Sequence, residues 1–509
     1  MGMHNVFEAA MRCASGDNDM NACSLARKLM LACMLPILFS CGGGASSGGG
    51  EEAGVGIGTG TGTGTGTGAP QVTLTAPANL TTDLTGTLVL VATASDDVAV
   101  TRVEFEVDGL PAGSDASAPF AASVNTADFV PGQHIVRARA HDAAGNMSAW
   151  ASATVQFGGS NQVPAGFTRN ESFVDGLTFA TALAQAPDGR LFIAEQGGAL
   201  RVFKAGQRLA QPFVQLAVDS SIGRGLIGVA LHPDFPATPF VYVQYISTAG
   251  AAHIRISRFT AAGDVAAPSG EQVLVDLPAV SGAREHHGGA LHFGSDGKLY
   301  AGVGDNSNPA NSQDLTSPFG KLLRFNDDGS IPADNPFFNT SPGLARAIWA
   351  YGLRNPFTFA VQAGTGRIHI NDVGENTWEE VNLGVAGANF GWPNSEGPDN
   401  VGAGRVAPLF TYRHSAPTPP GSGPGGFFTG FAIAGGAFYP ASGTFAAPYR
   451  GNYFFADFIG KSIGRLDLAN DNAAYAFASI NDSPVDMLVA NDGALLVLGR
   501  AGVTRINSP

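Results

Sequence analysis

The chain has 509 residues, enough for roughly two to four domains, and carries 28 Lys plus Arg against 42 Asp plus Glu, a formal charge of −14. A field of that sign repels phosphate backbones and anionic lipid surfaces, which excludes nucleic acid as a partner. With 69 glycines, 44% apolar residues and only 14% charged ones, the composition is that of a turn-rich, all-β protein with few surface helices.

All four cysteines, Cys13, Cys23, Cys33 and Cys41, fall in the first 41 residues, so nothing downstream can form a disulfide or a thiolate metal site. Arg27 and Lys28 precede an apolar run over 29–39, too short to span a bilayer comfortably and of the length of a signal-peptide core. Export to the periplasm or cell surface is expected. The residues before Arg27 are unlike a signal n-region, which makes Met20 and Met30 candidate translation starts. Leu-Phe-Ser-Cys at 38–41, followed by Gly42, resembles the lipobox of bacterial lipoproteins, in which the cysteine is acylated. Phe39 is bulkier than that motif usually carries, and an ordinary cleaved signal is the alternative. Region 1–41 is thus read as signal peptide and lipobox, and the membrane is a partner only through a lipid anchor at Cys41. Residues 42–69 are Gly, Ser and Thr with a run of Gly-Thr repeats, too poor in apolar side chains to offset the entropy of ordering; they form a flexible tether.

Over 70–158, short β-branched runs (72–75, 88–94, 100–107, 134–141, 151–157) alternate with turn residues, the spacing of a β-sandwich. Within 101–108, Val103, Phe105 and Val107 alternate with Arg102, Glu104 and Glu106, giving one buried and one wet face. The stretch 142–146 is a turn before the last strand. This region, including Ala-Ser-Asp-Asp-Val at 94–98, resembles the bacterial immunoglobulin-like domains appended to surface proteins. A spacer role follows from that resemblance, with carbohydrate binding as the alternative.

From 165 to 508 a different signal repeats: an Asp-Gly turn feeding a hydrophobic strand, at 186–194, 294–301 and 490–497. The turns at 188, 296 and 492 lie 108 and 196 residues apart, near two and four units of roughly 50, the period of propeller blades. The length then predicts six or seven blades, whose loops gather distant residues around a central channel. His286 and Asp305 bracket a strand pair that Gly-rich corners fold back on itself, which brings an imidazole and a carboxylate to one rim of a sheet.

Five blocks stand in order: 225–235 (Gly-Leu-Ile-Gly-Val-Ala-Leu-His-Pro-Asp-Phe), the His286 to Asp305 block, Gly-Leu-Arg-Asn-Pro at 352–356, Asp-Val-Gly-Glu-Asn-Thr-Trp-Glu-Glu-Val-Asn at 372–382, and Asn-Phe-Gly-Trp-Pro at 389–393. In this order they resemble the soluble glucose and sorbosone dehydrogenases that depend on pyrroloquinoline quinone (PQQ), and the likeness covers nearly all of 165–508. It implies a six-bladed β-propeller with PQQ and calcium over its channel, acting on a small sugar or aldehyde; the electron acceptor stays open. Oxidising a sugar hydroxyl with a quinone requires a base while hydride leaves carbon, and a cation beside the oxygen that gains charge. His286 matches the family's base, Asp305 the carboxylate that orients it, Arg354 the arginine at the quinone oxygen and Asn355 its neighbouring cofactor contact. The resemblance puts the backbone carbonyls of Gly374 and Glu375 on calcium, a hard cation that oxygen donors suit. Glu379 and Glu380 are weaker ligand candidates, because neighbours on a strand point to opposite faces. The same argument separates His287 from His286.

The chain also departs from the family. Gly223 stands where Gln or Glu is usual near the base. Ser483 and Val485 replace two arginines that bind the quinone carboxylates, and Ile459 replaces a lysine, with Lys461 two residues later as the remaining cofactor contact. Arg224 and Arg284 are candidate substitutes. The Pro- and Gly-rich loop 416–426 is a candidate cover for the active face. Two rivals follow: a non-catalytic cell-surface binding propeller that has lost the quinone, and a calcium-dependent hydrolase such as a lactonase, for which the usual four side-chain ligands are not evident.

Overall fold

The computed structural model describes residues 68–129, 132–158, 163–283, 285–398, 401–414 and 430–508. The signal region with its four cysteines, nearly all of the tether, Arg284 and the loop 416–426 lie outside the described residues.

The first unit is a sandwich of two sheets. Gln71–Ala76, Thr87–Ser95 and Phe120–Asn125 form one; Thr81–Leu84, Ala151–Phe157, Gly132–Asp142, Val100–Val107 and Leu110–Asp115 form the other, in that spatial order. The alternation along 101–108 sets the faces. Val103, Phe105 and Val107 are buried in the core with Leu90, Val136 and Val155, whereas Glu104 and Glu106 pair with Arg139 and Arg137 on the next strand. Those guanidinium groups lie 4.4 and 4.3 Å from the ring centre of Trp150. Both cations are stacked on that ring, which ties the wet face of the sheet to Trp150. Three strands escaped the sequence reading, Thr81–Leu84, Leu110–Asp115 and Phe120–Asn125, because Pro, Gly, Ser and Asp dilute their apolar pattern.

Among the described residues the second unit contains six antiparallel sheets in chain order, their first strands being Ala180–Gln185, Leu226–Leu231, Leu291–Phe293, Pro356–Val361, Ile433–Phe438 and Pro484–Val489. Contacts between consecutive first strands, including those between the sixth sheet and the first, close the six sheets into a ring. The sixth sheet is composite. Its outer strand, Thr168–Val174, comes from the start of the unit and pairs antiparallel with Val503–Asn507 at the end. Tight-turn chemistry at Asp188-Gly189, Asp296-Gly297 and Asp492-Gly493 closes the first hairpins of the first, third and sixth sheets. The 196 residues between the last two turns thus span three sheets rather than four units of 50. The excess lies in long connections before the outer strands of the third and fourth sheets, at 326–347 and 385–409.

The two units touch through Arg465. Fully buried on the fifth sheet, it donates to the carbonyl of Asp108 in the sandwich and to Asn452 Oδ1 (2.7 Å), between the rings of Tyr449 and Tyr475.

Candidate functional site

In each sheet the connection entering the first strand and the hairpin joining the second to the third belong at the same end. Hydrogen bonds between these segments run round that end of the ring. Arg500 of the sixth sheet donates to Ala180 of the first (2.9 Å), and Gln196 Nε2 to Ser220 before the second (3.1 Å). Arg224 meets His287 before the third (3.3 Å), Asp305 N–H bonds to the Arg354 carbonyl before the fourth (2.8 Å), and Lys461 Nζ bonds to Asn481 before the sixth (2.7 Å). This end is the mouth. Several non-glycine residues there have left-handed backbone: Phe179, Ile222, His286, Asn306, Ser307 and Lys461. Strain of this kind is held only where surrounding structure over-determines it.

The centre of the mouth is one connected network. His286 Nδ1 lies 2.8 Å from Asp305 Oδ1, and Asp305 is fully buried. The same oxygen accepts from Ser307 N (2.8 Å), while Oδ2 accepts from the indole of Trp392 (3.0 Å). Asp305 as acceptor fixes the imidazole proton on Nδ1 and leaves the Nε2 lone pair free to act as a base. Gly288 lets this connection pack: its φ is +68°, and a Cβ there would stand 2.5 Å from the Gly302 carbonyl. Asn355 Oδ1 accepts from Gly288 N (3.1 Å), so its side chain also braces the histidine's connection.

Arg354 lies 5.6 Å from the Trp392 ring centre, donates to the Val373 carbonyl (3.1 Å) and has its buried Nε unpaired. Its backbone N–H and that of Asn355 both go to Asp372 (2.9 and 2.7 Å). Burial and the neighbouring Glu380 carboxylate push Asp372 well above the usual range; burial likewise raises Glu380 to about 7.

Glu396 Oε1 accepts the N–H groups of Glu375 (2.9 Å), Asn376 (3.0 Å), Thr377 (3.0 Å) and Trp378 (3.2 Å). Burial opposes ionisation of Glu396, but these four donors outweigh it and hold the carboxyl below its usual range. Peptide planarity then fixes what matters at Gly374 and Glu375. Each carbonyl points opposite to the N–H that follows it, hence away from Glu396. Neither carbonyl accepts a hydrogen bond among the described residues.

Glu379 and Glu380 take opposite directions. Glu379 binds His414 Nε2 (2.5 Å) and Ile433 N (2.8 Å); Glu380 binds Asn382 Nδ2 (2.9 Å) and Gly397 N (2.6 Å). Among the described residues no cluster of three or more His, Cys, Asp or Glu side chains is arranged to hold a metal.

Two expectations are corrected. His287 is in a connection, not a strand; it is separated from His286 by burial beside Arg224, which pushes it down to about 3. Arg224 is no free substitute, being ion-paired to Asp219 (2.5 Å) and bonded to the carbonyls of Ser281 and Ala283. Lys461, also expected at the mouth, is exposed and donates to the Asn481 carbonyl, outside the His286 network. Val485, at 1% exposure, belongs to the core. The sequence reading missed roles for Trp392, Glu396 and Arg500. Trp392 lay inside a quoted block, and Glu396 only three residues beyond it.

Fold and mouth together define a propeller of the sugar-dehydrogenase class. A family model described as glucose/sorbosone dehydrogenase matches residues 177–507, and the chain belongs to that family. A bacterial Ig domain model matches 70–138. Aldose sugar dehydrogenase YliI of Escherichia coli (strain K12) is 31% identical over 48% of this chain and 70% of its own length. Quinoprotein glucose dehydrogenase B of Acinetobacter calcoaceticus is 30% identical over 42% of this chain and 50% of its own. Hedgehog-interacting protein of Homo sapiens, not named as an enzyme, is 30% identical over 40% of this chain and 33% of its own. Among solved structures, the apo form of soluble aldose sugar dehydrogenase from E. coli covers 67% of this chain and 100% of its own, at 25% identity and a TM-score of 0.58.

Proposed function

We propose that the protein oxidises an aldose or related sugar or aldehyde hydroxyl at the mouth of a six-bladed propeller, with PQQ and calcium as cofactors. The observation that carries this reading is the His286–Asp305 contact, with Asp305 fixed on its other side by Trp392. That arrangement makes a base of defined tautomer, placed beside an arginine with an unused donor. The residues present fit the implied groups. The unpaired Nε of Arg354 is a donor without an acceptor, and the two carbonyls turned away from Glu396 are unused oxygen ligands for a hard cation.

When bound, PQQ supplies the hydride acceptor. The protein does the rest. His286 Nε2 takes the proton of the substrate hydroxyl, Asp305 keeps the ring oriented and stabilises the imidazolium, and Arg354 offers positive charge where the acceptor oxygen becomes anionic. Gly374 and Glu375 would hold calcium through their carbonyls, with Asn355 bracing the histidine's connection and Lys461 at the edge of the mouth. The expected setting is extracytoplasmic, on a lipid anchor at Cys41.

Ser483 and Val485 favour the rival reading, a surface binding propeller without quinone. Addition of PQQ and calcium to the purified protein, followed by dye reduction with a panel of aldoses, separates the two. Turnover abolished by His286→Ala supports the dehydrogenase; cofactor binding without turnover on any aldose or aldehyde refutes it.

A further inference from the structure

The mouth has a second basic edge that the His286 network leaves unexplained. Arg500 lies in the turn between Leu495–Gly499 and Val503–Asn507. Its guanidinium crosses to the first sheet, donating to the Ala180 carbonyl (2.9 Å) and to Gln196 Oε1, with the Phe179 ring centre 5.2 Å away. Both acceptors are neutral, and Arg500 takes part in no ion pair among the described residues. Asp482, the acid whose charge reaches it, bonds instead to the backbone N–H groups of Ser483 (2.8 Å) and Ala501 (2.6 Å). From the other side, Lys461 bonds to the Asn481 carbonyl. The connection 481–483 is therefore flanked by two cations, and it carries Ser483 where the family resemblance leads one to expect arginine. Burial of Arg500 without a counter-ion pushes it down to about 10. A guanidinium so placed gains from a carboxylate, which its planar fork can bind through two parallel bonds.

We propose that Arg500, braced by Gln196 and flanked by Lys461, is a carboxylate-binding site of the mouth, supplying the anion recognition that Ser483 and Val485 lack. It rests on the PQQ reading for one source of that carboxylate, the tricarboxylate cofactor. The other source is an acidic sugar, recognised by the same chemistry.

The test titrates PQQ with calcium into the apoprotein, following quenching of tryptophan fluorescence, for the wild type, Arg500→Gln and the double variant Arg500→Gln with Ser483→Arg. The expected result is affinity at least about tenfold lower in Arg500→Gln, the scale of one lost charge-assisted contact, and recovered in the double variant. Arg505→Gln, which removes a surface ion pair with Asp492, serves as the unaffected control. If the wild type binds PQQ and both Arg500→Gln and Arg500→Lys match it, the Arg500 site is overturned and the dehydrogenase reading stands. If the wild type does not bind PQQ, the dehydrogenase reading falls, and a uronate and its neutral aldose are titrated into the same proteins. Uronate binding lost in Arg500→Gln then upholds the carboxylate site; equal or absent uronate binding overturns it. If Arg500→Gln does not fold, Arg500→Lys takes its place in each comparison, alone and combined with Ser483→Arg; weakened binding in Arg500→Lys that the double variant restores supports the site, and unchanged binding in Arg500→Lys overturns it.

Discussion

The mouth has two unlike halves. Where the third and fourth sheets meet, His286, Asp305, Trp392, Arg354 and Asn355 form a closed set of contacts in which Asp305 is fully buried and bonded through both oxygens. Where the fifth, sixth and first sheets meet, Lys461 and Arg500 hold only carbonyl or amide oxygens, and among the described residues no carboxylate bonds to either. The first half is preorganised for proton transfer; the second is a pair of cations bonded only to neutral oxygens. On the proposed reading, chemistry and cofactor retention reside on different sheets and can diverge separately.

Substitutions on the two halves should separate accordingly. The largest effect belongs to His286→Ala, which removes the base and should lower kcat for dye reduction by about 10²- to 10⁴-fold while PQQ affinity changes little. Asp305→Asn should cost about 10²-fold or more, since an amide can favour the wrong tautomer of His286; the pH profile of kcat should shift with it. Trp392→Phe deletes one donor to a buried carboxylate oxygen. The loss is about 1–3 kcal/mol in local stability, read as a drop in kcat of about tenfold and a lower melting temperature. In the second half Lys461→Gln, at an exposed site, should weaken PQQ binding only about two- to threefold, with kcat at saturation unchanged.

The seam between the sixth and first sheets offers a further comparison through pH. Asp486 is buried, which raises it from 3.8 to about 7 although Leu183 N and Met487 N donate to it. Between those values the unfolded chain has released this proton and the folded protein retains it, so stability falls as pH rises from about 4 to 7 and then levels off. Melting temperature should decline from pH 5 to pH 8. Asp486→Asn should flatten that slope whatever its effect on absolute stability.

Much of the first half was legible in the sequence because its residues sit in contiguous blocks. His286-His287-Gly288-Gly289 and Gly304-Asp305 bracket one hairpin, and Arg354-Asn355 enter the next sheet. Strand alternation in the sandwich and Asp-Gly turns in the ring were equally plain. What escaped was assembled by closure. Arg500 meets Gln196 and Ala180 only because the last sheet lies against the first, and Glu396 caps 375–378 from a turn that shows no pattern of its own. The interval of 196 residues between Asp296 and Asp492 spans three sheets rather than four units for a related reason, since the third and fourth sheets carry long connections that no turn signal announces.

The composite sixth sheet has a consequence for biogenesis. Its outer strand, Thr168–Val174, is made before the other three strands of its sheet, and until its partner Val503–Asn507 is complete it presents an open hydrogen-bonding edge. Such an edge is a template for pairing with other chains. The sandwich immediately upstream can fold from its own residues meanwhile, and its Asp128 carbonyl holds Ala165 N–H (2.7 Å) just ahead of that strand. A nascent polypeptide thus has a finished module standing guard at the lip of an unfinished one, and Val503–Asn507 is the clasp that locks the annulus.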